Sequence, residues 1–116
     1  MKFYLIFITI FCIFFTSCSN QEFEIIIKNK GNYTIKLLNL YVQGKEFKVN
    51  QLEVNKHTKI NIPFNTVPLN SHDFIIESKL ILKNGKLNSG FYYSDLSGTP
   101  NPKYIIEVYD SHTVIK

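Results

Sequence analysis

The chain contains no arginine, no alanine and no tryptophan, and it has one methionine and two cysteines in 116 residues. Each shortage excludes something. Without arginine there is no planar, bidentate donor for phosphates or base edges. The 13 lysines that carry all the basic charge are scattered singly along the chain. The formal charge of +4 therefore reads as solvated surface, and no nucleic-acid partner is expected. The methionine is Met1, so a methionine-rich copper site is excluded. Cys12 lies inside an apolar run, and Cys18 follows that run. Once the run is removed, no internal disulfide can form, and the domain must hold together by packing alone. The missing alanine and the abundance of Asn, Ile, Lys and Phe fit AT-rich codon usage and imply no function.

The apolar run is Phe3–Phe15, preceded by Lys2 and interrupted by Thr9. It has the length of a signal-peptide core and is short of the roughly 20 residues of a spanning helix. Phe15-Thr16-Ser17-Cys18 resembles the lipobox of bacterial lipoproteins, with phenylalanine where that family usually carries leucine. The resemblance implies that Cys18 is acylated and becomes the mature N-terminus. It also implies a membrane partner held through that lipid and an envelope location, the outer membrane in a Gram-negative cell. An ordinary cut after Ser19, with Ser17 at −3 and Ser19 at −1, is the other reading. The expected organisation is a signal peptide over 1–17, a lipidated tether over 18–22 and one domain over 23–116.

From Glu22 onward the pattern is period two, the mark of half-buried strands. Phe23, Ile25 and Ile27 share a face, and Asn29-Lys30-Gly31-Asn32 is turn chemistry. Tyr33–Val42 reads as a strand whose phase slips at Leu37-Leu38, which predicts a bulge. Gln43-Gly44-Lys45 turns the chain into Phe47, Val49, Leu52 and Val54. Lys59–Phe64 alternates, with Pro63 pointing to a sheet edge. A loop is expected over Asn65–Asp73. Phe74–Lys83 reads as a strand in preference to a helix, because Asn84-Gly85 is a strong hairpin signal that would pair Leu82 with Leu87. That hairpin puts Leu87, Phe91 and Tyr93 on the core face and Tyr92 opposite, with a bulge at Gly90. After the loop over Ser97–Pro102, Lys103–Tyr109 is a firm strand and His112–Lys116 a short tail strand. Seven or eight short strands and no helix predict an all-β fold, an antiparallel β-sandwich. The expected core includes Ile25, Ile35, Leu40, Ile62, Ile76, Leu80, Phe91 and Ile106.

The order of strand, N-x-G turn, long strand, G-K turn and short strand, ending in Ile62-Pro63-Phe64, looks like the immunoglobulin-like modules of bacterial surface proteins. That resemblance covers about 40 residues and implies a fold, with no catalytic residues to carry over. The chemistry-bearing residues form no recognisable constellation. His57, His72 and His112 lack the spacing of a zinc site. Ser71-His72-Asp73 is contiguous and cannot form a catalytic relay. No catalytic, cofactor or metal residue is therefore expected. The expected function is a non-enzymatic envelope lipoprotein, a binding or structural module for a protein partner. The rival reading is a small envelope hydrolase or a ligand- or glycan-binding module, which an exposed cleft bringing together several of His72, Asp73, Asp95 and Asp110 would favour. Tyr92 and Tyr109, placed opposite the main apolar set, are the expected binding surface.

Overall fold

The structure, a computed structural model, describes residues 21–68, 72–95 and 100–116. The signal stretch, Cys18 and most of the tether lie outside the described residues, as do the middles of the two long loops. Eight strands follow in order: β1 Glu22–Asn29, β2 Ile35–Val42, β3 Lys45–Leu52, β4 His57–Pro63, β5 Asp73–Leu82, β6 Leu87–Asp95, β7 Lys103–Val108 and β8 Thr113–Ile115. A single 3-10 turn, Phe64–Thr66, is the one helical element among them. Among the described residues no helix is long and apolar enough to cross a membrane.

The strands form two four-stranded sheets, one in the order β4-β1-β7-β8 and the other in the order β3-β2-β5-β6. Expected as antiparallel throughout, the fold departs at one pairing: β1 and β7 run parallel, with Ile25 beside Tyr104 and Ile27 beside Ile106. Parallel neighbours need a long crossover, and the whole second sheet separates these two strands in sequence. Alternation within a strand carries no information about such a pairing.

The period-two pattern has its expected consequence. One face of each sheet is apolar, and the two apolar faces bury each other. Ile25, Ile27, Ile62 and Ile106 of the first sheet meet Leu38, Leu40, Ile76 and Leu82 of the second, all nearly inaccessible. At the end where β1 begins, the core is aromatic. Phe74 stacks on Tyr104 at 5.2 Å, and Phe23 meets both edge-on at 5.7 and 6.0 Å. Tyr92 closes the cluster against Tyr104 at 5.4 Å. The Tyr104 hydroxyl, deep in this cluster, accepts the Asn101 backbone N–H at 3.0 Å. Burial pushes its pKa up despite that bond.

The other end is fastened by polar groups. Asn29 is 2% exposed and donates through Nδ2 to the Tyr33 and Leu52 carbonyls at 2.9 and 3.0 Å. Its Oδ1 accepts the Gly31 N–H, so one amide ties the first turn to the end of β3. The slip in β2 appears as a register shift against β5 between Ile35 and Leu37, with Gln51 opposite at a left-handed φ of 55°. Pro63 ends β4, an edge strand, as its missing N–H requires.

The β5–β6 hairpin corrects the expected register. Asn84-Gly85 does not close a two-residue turn. The Gly85 N–H bonds the Leu82 carbonyl, the Leu82 N–H bonds the Lys86 carbonyl, and Gly85 alone takes a positive φ, 88°. This is a three-residue loop with a glycine bulge. It pairs Ile81 with Leu87, one residue away from the expected register. A slip of one residue reverses every side chain of a strand. Leu87, Phe91 and Tyr93 therefore face outward, and Asn88, Gly90 and Tyr92 face the core. Phe91, expected in the core, is exposed, and Tyr92, expected on the surface, is half-buried.

The core favours this register. Gly90 lies where β6 passes close to β8: a Cβ there would come within 2.9 Å of the Thr113 methyl and 2.8 Å of the Ser78 hydroxyl. The ladder from Asp73 to Leu87 shows no shift, so Gly90 serves this close approach and not a bulge. Asn88 beside it accepts from the Thr113 hydroxyl and donates to the Tyr109 carbonyl.

Candidate interaction surface

The two sheets present opposite chemistry to solvent. On the outer face of the first, charges neutralise one another. Glu24 lies 3.7 Å from Lys59 and 3.9 Å from Lys103. Glu107 accepts from Lys116 and Lys30, each at 2.7 Å, and these two ammonium groups lower its pKa to about 2. The same contact raises that of Lys30.

The outer face of the second sheet is apolar in rows set by the register. Leu37, Ile81 and Leu87 lie side by side across β2, β5 and β6, and Ile75 lies beside Tyr93. Tyr41, Glu77 and Phe91 form a row between them. A hollow of about 550 Å³ opens here, lined by Leu37, Asn39, Lys79, Ile81, Leu87 and Ser89. The Lys79 ammonium lies 5.9 Å from the centre of the Tyr41 ring. Asn39 Oδ1 is buried under this face with no hydrogen-bond partner among the described residues. At the free side of the sheet Leu87 is 79%, Phe91 61% and Tyr93 52% exposed.

β6 is also the last strand of its sheet. Among the described residues each sheet has two edge strands, giving β4, β8, β3 and β6. Sheet edges are templates for pairing, and proteins blunt them with charge, proline or shortness. β3 carries Lys45, Glu46 and Lys48, β4 carries Lys59 and Pro63, and β8 has three residues. β6 runs for nine residues with no charge before Asp95 and no proline. Because the Leu82–Lys86 pair is hydrogen-bonded, alternation in the ladder sends the N–H and C=O of Asn88, Gly90 and Tyr92 to β5. Those of Leu87, Ser89, Phe91 and Tyr93 point to the open edge.

The residues singled out from sequence are scattered. Asp73 and Asp95 are cross-strand neighbours at one end, where the Tyr93 hydroxyl donates to Asp73 Oδ1 at 2.7 Å. That bond raises the Tyr93 pKa. Asp110 is at the opposite end, accepting from the N–H and the side-chain amide of Asn32, both at 2.7 Å. These bonds lower its pKa and give it a structural task. Of the residues of the hydrolase reading, Asp73 and Asp95 are brought together, with His72 next to Asp73 in the chain, and Asp110 is not. Tyr109 stacks on His112 with ring centres 4.9 Å apart and is half-buried. No cluster of three metal-ligating side chains occurs among the described residues. Sequence reasoning missed Leu87, Phe91 and Tyr93 as surface, because that assignment turned on whether Asn84-Gly85 closes a two- or a three-residue loop.

No protein-family model matches the chain, and no curated protein is significantly similar to it. Among solved structures it resembles a protein from Eubacterium rectale, determined by NMR. The TM-score is 0.61 at 14% identity, over 81% of this chain and 87% of that one. At this identity the likeness is one of fold. Listeriolysin O and pneumolysin also align, each with a TM-score of 0.40, at 14% and 12% identity. Those alignments cover 84% of this chain but 22% and 23% of theirs, and they carry no inference.

Proposed function

We propose that the chain is a non-enzymatic binding module of the bacterial cell envelope, tethered by lipid on Cys18, whose sandwich takes up a protein strand along β6. The observation that carries this reading is the nine-residue β6 edge, uncharged up to Asp95 and bordered by exposed Leu87, Phe91 and Tyr93. Strand addition draws its affinity from main-chain hydrogen bonds and its selectivity from alternate side chains. It leaves little trace in a sequence, which agrees with how plain this one is. The immunoglobulin-like reading rests on the two packed four-stranded sheets. The strand orders differ from those of immunoglobulin constant domains, so the likeness is one of layers.

The anchor is tested by intact mass: native protein should carry a diacylglycerol thioether on Cys18, and Cys18→Ser should move it to the soluble fraction. A lipid-free chain beginning at Asn20 would contradict the anchor. The binding edge is tested in cells against the phenotype of the gene deletion. Phe91→Lys should reproduce that phenotype while the protein stays folded and membrane-bound. His72→Ala should leave function intact. The reverse pattern would favour the hydrolase.

A further inference from the structure

We propose that the strand taken up by β6 is β6 of a second copy, paired antiparallel about a two-fold axis at Phe91. The inference rests on the reading of β6 as a binding edge and adds the identity of its occupant. Charge decides the orientation. Exposed Lys83 and Lys86 lie at the beginning of β6, and exposed Asp73 and Asp95 lie at its end. A parallel neighbour would set acid against acid and base against base. An antiparallel copy sets the basic end of each strand against the acidic end of the other, twice.

The register follows from which backbone groups are open. Phe91 directs its N–H and C=O outward, so a two-fold axis there makes Phe91 and its counterpart a hydrogen-bonded pair. Ser89 then lies opposite Tyr93 of the second copy and Leu87 opposite Asp95. No like charges meet between these positions, and the exposed Phe91 rings become neighbours on the outer face. The sheet becomes a continuous β3-β2-β5-β6 array joined to its symmetry mate. The other edges of each chain are charged, proline-ended or short, so the assembly closes as a dimer, as an isologous contact does, and does not grow into a fibre.

A charge swap on the axis tests this. The full chain in detergent should have twice the mass of one chain by light scattering corrected for bound detergent. Phe91→Lys and Phe91→Glu, each placing like charges face to face, should each give single chains with unchanged far-UV circular dichroism. Mixing the two variants should restore the doubled mass. A wild type that stays single across a concentration series overturns the dimer, as does a Phe91→Lys chain that remains paired or a mixture that fails to re-form. If the wild type is single yet Phe91→Lys still abolishes function in cells, the edge is a binding site and its occupant is another protein. If the dimer forms and Phe91→Lys leaves function unchanged, self-pairing stands and the envelope-partner reading falls.

Discussion

Glu107 shows how a single side chain gives the fold its response to acid. It lies on the outer face of a sheet, yet it is 6% exposed because Lys116 and Lys30 close over it. Its folded pKa, about 2, lies below the ordinary 4.5. A carboxylate shifted this way stabilises the fold fully above its unfolded pKa and progressively less as pH falls through the folded one. Wild-type stability should therefore decline between about pH 4.5 and pH 2. Asp110 adds a decline of the same sign. Comparing urea midpoints of wild type and Glu107→Gln across this range isolates the first contribution: the glutamine chain should be less stable at neutral pH and less sensitive to acid. Parallel curves would contradict it. Asn29 is the polar counterpart inside. Asn29→Leu takes the side-chain donor from the buried Leu52 carbonyl, at roughly 1–3 kcal/mol for a buried group left unsatisfied, and a denaturant melt should show the loss.

At the scale of elements, most of the chain was legible and one strand was not. The strand positions, the bulge near Leu37, the edge proline and the preference for a strand over a helix at Phe74–Leu82 all follow from local patterns. These patterns are strong wherever one face is buried. β6 was misread because its own sequence is ambiguous: Leu87, Phe91 and Tyr93 on one face are as apolar as Tyr92 and Gly90 on the other are small or amphipathic. What decides its register lies elsewhere in the chain, in the closeness of Thr113 to Gly90 and in the vacancy beside Tyr104 that Tyr92 fills. Two substitutions check this. Tyr92→Ala should cost roughly 2–4 kcal/mol, somewhat less than a fully buried aromatic. Compared at a dilution where the chains are single, Phe91→Ala should fall within about 0.5 kcal/mol of wild type, as surface changes do. The opposite ranking in thermal melts would restore the two-residue hairpin. Gly90→Val should cost about 1–3 kcal/mol by overpacking against Thr113.

The whole molecule is two sheets with unlike outer faces, one neutralised by paired charges and one apolar beside an open edge. Its core has no disulfide to assist it among the described residues. Ile62→Ala should therefore remove roughly 2–5 kcal/mol, a large share of the 5–15 kcal/mol usual for a domain. The sheet order and the parallel β1–β7 contact were not legible, because they join residues about 80 apart through pairings that local alternation does not encode. The candidate surface was legible only in kind. Which tyrosine faces solvent depended on a one-residue register: Tyr93 is exposed and Tyr92 half-buried. Among the described residues β6 is an open edge with its odd-numbered backbone groups directed outward. Residue-resolved amide exchange by NMR on the Phe91→Lys chain, where self-pairing is removed, tests it most directly. Asn88, Gly90 and Tyr92 should exchange slowly and Leu87, Ser89 and Tyr93 fast; uniform protection along β6, or the reverse alternation, would contradict it.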